Sequence, residues 1–366
     1  MTITHIRKSF ARAEICQHGG RSREMKRAFG DGFADFSASI NPMGSPPLLD
    51  IATKELSEIG NYPDNSYREF RDAAAAFVGV SENNIVPGNG STEIIRLFAE
   101  TLLDEGKRAL IPSPTFGEYE GQSKLFGAEI VKSDLGIRSS RDLDDVFSSE
   151  ILKDCDAAFF CNPNNPTGIL TSRKDVAKIA GRCTHHEVAL LVDEAFIELS
   201  DPGQSVADIA PTSEFLVVMR SLTKSFGIPG LRLGFGVMNE DLAGIMNRAR
   251  IPWSISGMGE AAAVHLLGLK GYLEESRELI KREREWMAEG LMSLGLTPLK
   301  SDVNFIMVGL EGCGCTSPEL AEKMMDQRIL IRDCSSFGVG DRYIRLAVRR
   351  HEENLQLIDA LRSALG

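Results

Sequence analysis

Lys224 stands in the run Arg220-Ser221-Leu222-Thr223-Lys224-Ser225-Phe226-Gly227-Ile228-Pro229-Gly230-Leu231-Arg232-Leu233-Gly234, directly after the apolar stretch Phe215 to Met219. A primary amine among hydroxyls, with a second cation at Arg232, suits imine formation with a carbonyl beside a phosphate site. Upstream, the apolar Val188 to Val192 ends in Asp193-Glu194-Ala195-Phe196. A carboxylate at the end of a buried strand is the natural partner of a protonated pyridine nitrogen. Together these residues point to pyridoxal 5'-phosphate (PLP). Taken singly, Lys224 reads as a solvated loop lysine and Asp193 as a strand-end cap, so the weight rests on the phosphate elements around them.

Gly88-Asn89-Gly90-Ser91-Thr92-Glu93 follows the strand-like Asn84-Ile85-Val86 and opens the helical Ile94 to Phe98. Free backbone N–H groups at a helix start, unobstructed by side chains, bind phosphate. The motif lacks the third glycine of a dinucleotide fingerprint and the GK[ST] of a P-loop, so it is a cup for one phosphate or an ordinary capped turn. Cys161-Asn162-Pro163-Asn164-Asn165-Pro166-Thr167-Gly168 closes another apolar strand with a stiff, amide-rich loop at the edge where α/β proteins bind ligands. Its amides suit a phenolate-like oxygen. In Pro114-Thr115-Phe116-Gly117-Glu118-Tyr119, the Phe116 ring either stacks on a planar cofactor or packs into the core.

These residues need a scaffold that brings strand ends together. Apolar runs at Arg108 to Ile111, Glu129 to Lys132, Ala157 to Cys161, Val188 to Val192, Leu216 to Met219 and Leu233 to Val237 alternate with helical periodicity at Ser66 to Val78, Thr92 to Leu103, Ser172 to Cys183 and Asp241 to Ala249. That alternation predicts an α/β fold with a mainly parallel sheet flanked by helices. Gly271 to Leu294, rich in Glu, Lys and Arg, reads as a long exposed helix leading to a smaller C-terminal α+β unit. The unit carries strands Asn304 to Val308, Ile329 to Arg332 and Tyr343 to Ala347, and helices Pro318 to Asp326 and Glu352 to Leu365. The expected division is an arm over 1–45 that contributes to the substrate site and small domain, a cofactor-binding domain over 46–265, and a small domain over 266–366.

With 366 residues, 43% hydrophobic and 25% charged, the chain has ordinary globular composition. A net charge of -11 argues against a nucleic-acid surface, so anionic ligands must be held by local arginines. No apolar run is long enough to span a bilayer, and the polar start Met1 to Lys8 lacks a secretory core, which leads to a cytoplasmic expectation with no membrane partner. Seven cysteines without paired spacing do not form a disulfide framework; Cys313-Gly314-Cys315 and His185-His186 lack the companions of a metal site. No metal is expected.

The NPNNPTG, DEAF and SLTKSFGIPGLRLG segments, in this order, resemble class I/II aminotransferase-type PLP enzymes of fold type I, and the likeness runs over almost the whole chain. Within that family, His18-Gly19-Gly20, Phe36 to Gly44, Tyr62-Pro63-Asp64, Pro252-Trp253-Ser254 and Ile331 to Cys334 resemble the threonine-phosphate decarboxylase branch of cobalamin biosynthesis, with histidinol-phosphate aminotransferases next. The resemblance implies an aspartate aminotransferase-like fold and a homodimer with shared sites. It implies that Lys224 links to the cofactor, Asp193 faces the pyridine nitrogen, Asn165 the ring oxygen and Phe116 the ring face. Gly90, Ser91, Thr92, Ser221, Thr223 and Arg232 would hold the cofactor phosphate, joined by Tyr62 of the neighbouring subunit. Phe196 stands where many aminotransferases carry tyrosine, which removes a donor to the ring oxygen.

At the substrate end, Arg345 inside Tyr343-Ile344-Arg345-Leu346-Ala347 is an arginine in an apolar strand, which needs an anion or a carboxylate partner. By resemblance it forks the substrate α-carboxylate, and Arg332 takes a second, phosphate group. His18, Ser39 and Asn41, on the N-terminal arm, join the substrate contacts on the same ground, as does Asn165. The implied reaction is decarboxylation of L-threonine O-3-phosphate to (R)-1-amino-2-propanol O-2-phosphate. The alternatives are an aminotransferase for histidinol phosphate or another amino acid, and a PLP-binding regulator without turnover. Which bond at the α-carbon breaks depends on which stands perpendicular to the ring, and sequence does not carry that angle.

Overall fold

The computed structural model describes residues 6–137 and 143–366; of the polar start read above, Met1 to His5 lies outside them. The continuous apolar runs form a seven-stranded sheet in the spatial order Ile85–Asn89, Leu233–Val237, Leu216–Ser221, Ala189–Asp193, Ala157–Cys161, Arg108–Ser113 and Glu129–Asp134. Six strands run one way; Leu233–Val237 runs against both of its neighbours. The three central strands Ala157–Cys161, Ala189–Asp193 and Leu216–Ser221 are buried at every position, as helices on both faces require. One apolar cluster fills each face: Phe70, Phe160, Leu190 and Phe235 on one side, Phe98, Tyr119, Phe159 and Leu191 on the other. The register aligns Cys161 with Asp193 and Asp193 with Met219. The loops that follow these ends therefore face one another across the edge of the sheet.

Helix starts follow local chemistry. Ser172 accepts the Asp175 N–H ahead of Arg173–His185, Asn239 accepts that of Leu242 ahead of Glu240–Ala249, and Thr316 with Glu319 makes a reciprocal capping box. The helix expected over Gly271 to Leu294 runs Lys270–Ser293 but is not exposed all round. Leu273, Ser276, Ile280, Glu283, Met287 and Leu291 form a buried stripe. The dense charge in this segment conceals an ordinary amphipathic period.

The C-terminal part builds an antiparallel sheet ordered Arg332–Asp333, Tyr343–Ala347, Phe305–Gly309 and Thr297–Pro298, covered by Ser317–Asp326 and His351–Leu365 around a third apolar cluster. The expected single strand Ile329 to Arg332 is divided. Ile329–Leu330 pairs in parallel with Ala34–Asp35, and Arg332–Asp333 joins the antiparallel sheet. The N-terminal segment is thereby tied to the C-terminal sheet. No helix among the described residues is long and apolar enough to cross a membrane, and no group of metal-ligating side chains is found among them.

Candidate active site

Lys224 lies on the short helix Leu222–Ser225 that follows Leu216–Ser221. Burial, and then the charges of Arg345 and Arg232, lower its amine to about 8. Lys224 is partly exposed, whereas Asp193, which closes the adjacent strand, is buried. Its carboxylate accepts the Tyr119 hydroxyl at 2.5 Å and the Ala195 N–H at 2.9 Å. Burial outweighs these donors and raises its pKa to about 6. The site thus pairs an amine that sheds its proton readily with a carboxylate that charges only at a cost.

The candidate phosphate cup is shaped by close backbone approach. Gly90, at φ 76, precedes the helix Ser91–Leu102. A Cβ there would collide with the Arg232 guanidinium, and one at Gly234 would lie 2.6 Å from the Ser91 nitrogen. Glycine is required at both positions. Arg232 itself holds φ 56, an uncommon conformation for a side-chain-bearing residue, and its one described hydrogen bond reaches the Pro229 carbonyl at 3.5 Å. Ser221 pairs with Gly234 in the ladder and Thr223 Oγ1 donates to the Leu233 carbonyl at 3.4 Å. Gly90, Ser91, Thr92, Ser221, Thr223, Lys224 and Arg232 therefore gather where Ile85–Asn89, Leu216–Ser221 and Leu233–Val237 meet.

Of the three asparagines in the strand-end loop, two are occupied in shaping it. Asn162 exchanges hydrogen bonds with Thr171, and Asn164 reaches Pro114, Thr115 and Thr167. Asn165 alone turns to Arg345, whose Nη1 donates to its side-chain oxygen. Arg345 Nη2 donates to the Ser37 carbonyl at 2.9 Å, while its buried Nε has no partner among the described residues. The guanidinium lies 5.0 Å from the centroid of Phe305, which meets Phe196 edge-on; Lys224 Nζ is 5.9 Å from the Phe196 ring. Burial lowers the Arg345 pKa to about 10, with Arg332 contributing, so it stays charged at neutral pH.

Arg332 donates to the Gln17 carbonyl at 3.0 Å and to Ser336 at 2.7 Å. It therefore stands beside the N-terminal arm. Ser39 is buried, its hydroxyl without a partner among the described residues. Asn41 is placed differently from the expectation. Its amide donates to the Ser225 carbonyl and the Ser276 hydroxyl at 2.7 Å each, and its oxygen accepts the Met43 N–H, so it clamps the lysine helix to Lys270–Ser293 and offers no donor to a substrate. His18 contacts Glu118 at 2.8 Å and lies 5.8 Å from the Phe116 ring. Tyr62 is 81% exposed, its ring 4.8 Å from that of Trp253 and tilted by 33°, and Leu56, Ile59 and Ile251 are exposed as well.

Among the residues that touch this set, Tyr119, Glu118, Ser37 and Phe305 had no role assigned from sequence. Tyr119 carried a usable signal. It follows Phe116 by one helical turn, which places both rings on one side of the strand end.

Residues 36–361 match the family model described as aminotransferase class I and II. The threonine-phosphate decarboxylase of Salmonella typhimurium is 34% identical over 95% of this chain and 96% of its own. The histidinol-phosphate aminotransferase of Methanothermobacter thermautotrophicus is 30% identical over 93% and 92%. In structure, the histidinol-phosphate aminotransferase of Sinorhizobium meliloti in complex with pyridoxal-5'-phosphate superimposes with a TM-score of 0.89 over 100% of this chain and 98% of that one, at 20% identity.

Proposed function

We propose, for a chain that belongs to the class I and II aminotransferase family, the decarboxylation of L-threonine O-3-phosphate to (R)-1-amino-2-propanol O-2-phosphate. The fold is aspartate aminotransferase-like and the cofactor is PLP, which supplies an electron sink for the pair left behind when a bond to the substrate α-carbon breaks. The residues fit that group. A helix N-terminus narrowed by two glycines and faced by Arg232 suits its phosphate, and the costly buried charge of Asp193 suits a ring cation.

In this reading Lys224 holds the cofactor and, with its pKa near 8, returns a proton to the α-carbon after carbon dioxide departs. Asp193 stays ionised against the ring nitrogen, with Tyr119 orienting it. Phe116 covers the ring and Asn165 meets its oxygen. Gly90, Ser91, Thr92, Ser221, Thr223 and Arg232 hold the phosphate. Arg345 binds the substrate carboxylate against the apolar Phe196 and Phe305, and Arg332, His18 and Ser39 serve the distal phosphate.

The observation that carries the proposal is the pair Arg332 and Arg345, neither of which has a carboxylate partner among the described residues. Threonine phosphate presents a carboxylate and a phosphate at once. Histidinol phosphate has no carboxylate and would engage one of the two; the 2-oxoglutarate that completes its transamination has two carboxylates, so the pair favours threonine phosphate as the phosphorylated substrate and leaves the reaction type to the assay below. The aminotransferase remains the second reading because relatives of that activity match the chain over almost its full length.

The exposed surface with Tyr62, Trp253, Ile59 and Ile251 supports a homodimer that delivers Tyr62 to a partner's phosphate cup. The division at 45 and 265 is part of the same proposal. Incubation with L-threonine phosphate, and separately with histidinol phosphate plus 2-oxoglutarate, tests the reaction. Carbon dioxide from the first without glutamate from the second is expected; glutamate without carbon dioxide would replace the decarboxylase with the aminotransferase.

A further inference from the structure

The N-terminal segment from Cys16 to Gly20 is strapped across both arginines. Cys16 Sγ donates to the Gly117 carbonyl at 3.4 Å, and the Gln17 carbonyl accepts from Arg332 at 3.0 Å. Gly20 N donates to Ser37 Oγ at 3.0 Å. A Cβ at Gly19 would collide with the Ser37 carbonyl, the same oxygen that accepts from Arg345. His18 sits between these anchors. A cavity of about 1280 Å³ borders the strap; its lining includes Gln17, Thr115, Phe116 and Ser336, and Gln17 and Ser336 are also the hydrogen-bond partners of Arg332.

A buried carboxylate beside residues that handle anions repels the ligand unless its charge is fully engaged. Glu118, 9% exposed, is engaged on both oxygens: Oε1 contacts His18 Nε2 at 2.8 Å and Oε2 accepts Gln122 Nε2 at 2.9 Å. The His18 hydrogen bond holds the carboxyl below its usual range despite burial. A hydrogen bond to one imidazole nitrogen fixes the ring and dictates what the other can offer.

We propose that Glu118 is a positioning residue for phosphate selection: its carboxylate accepts from Nε2–H of His18, and Nδ1–H of the doubly protonated ring donates to the substrate phosphate beside Arg332. Glu118 does not meet the ligand itself. This rests on the phosphate role assigned to Arg332 and His18, but not on which bond of the substrate breaks.

The test is a double-mutant cycle on the PLP-loaded enzyme with Glu118→Gln, His18→Ala and the pair, read as the ratio of kcat/KM for O-phospho-L-threonine to that for L-threonine. Each single change is expected to lower the ratio about tenfold, the scale of one lost charge-assisted hydrogen bond, and the pair should be no worse than His18→Ala. Equal losses for both substrates, or full additivity in the pair, would overturn the proposal. Should Glu118→Gln fail to fold, Glu118→Asp, which draws the carboxylate back by one methylene, enters the same cycle with the same reading. The dissociation constants of the two amino acids on Lys224→Ala protein give the ratio without turnover. If the enzyme transaminates histidinol phosphate instead, histidinol phosphate against histidinol supplies the ratio, so the grip on His18 and the assigned reaction fail separately.

Discussion

Arg332 and Arg345 are direct cross-strand partners in the antiparallel pair Arg332–Asp333 with Tyr343–Ala347. Like charges opposite one another destabilise a sheet unless something anionic meets them. Here the hydrogen-bond partners are neutral, Asn165, the Ser37 and Gln17 carbonyls and Ser336, while Asp333 and Asp35 act on the pair without bonding to it. The pair is arranged for a ligand with two anionic ends.

Separating the two arginines is therefore the first prediction. Arg332→Ala should erase much of a preference for threonine phosphate over threonine, about 10 to 10⁴-fold for one or two charge-assisted hydrogen bonds. Arg345→Ala should weaken both substrates alike, and Arg345→Lys should restore only part, because the planar fork is lost. The check is kcat/KM for both substrates in each variant. An unchanged preference in Arg332→Ala would make Arg332 structural.

Lys224 governs cofactor loading. With its amine near 8, the cofactor-free protein should take up PLP faster as pH rises through that value and level off above it. Borohydride treatment of the loaded protein should leave the cofactor on a peptide containing Lys224. Lys224→Ala should still bind PLP, without covalent attachment and with turnover reduced by orders of magnitude. A protein that takes up no PLP at any pH would sink the assignment.

Tyr119→Phe removes a hydroxyl whose hydrogen bond lowers the Asp193 pKa. Without it the pKa rises above about 6 in the cofactor-free protein, and also rises from the lower value that a ring cation would set in the loaded enzyme, so the acidic limb of the rate profile should move to higher pH while the alkaline limb stays put. A pH profile of kcat in the two proteins reads this directly; coincident acidic limbs would deny Tyr119 its orienting part.

Asp193→Asn should stabilise the cofactor-free protein at about pH 8. The folded pKa of Asp193 is raised from 3.8 to about 6, so the contribution of this group is most favourable below 3.8 and is lost as pH climbs through 6. Replacing it with an uncharged isostere removes that loss, on the order of 1–3 kcal/mol, and the advantage should vanish below about pH 4. Urea unfolding of both cofactor-free proteins across this range checks sign and window. A destabilised variant at pH 8 would mean that the Tyr119 and Ala195 hydrogen bonds outweigh the buried charge.

Much of this arrangement was legible in the chain. Ala157–Cys161 and Leu233–Val237 fall at their expected limits because these fully buried strands carry no charged residue, and Tyr343–Ala347 does so although Arg345 interrupts its apolar run. The residues gathered around Lys224 follow those strand ends. What stayed hidden depends on partners distant in sequence. Asn41 is spent on Ser225 and Ser276, and Tyr119 meets Asp193 across the sheet edge. The opposition of Arg332 and Arg345 needs a division of the Ile329 to Arg332 run that local composition does not signal.

The reversed strand Leu233–Val237 has a consequence for how this chain can vary. Because Ser221 is paired with Gly234, the segment carrying Lys224 and Arg232 leaves the sheet and returns to it as a closed ring anchored at both ends. The spacing between amine and guanidinium is thereby fixed by a length of backbone rather than by side-chain choice. A one-residue insertion or deletion inside that ring cannot be absorbed by sliding either end, whereas surface loops elsewhere tolerate such changes. Natural length variation and engineered grafts should therefore avoid positions 222 to 232, even where the individual side chains there are exposed.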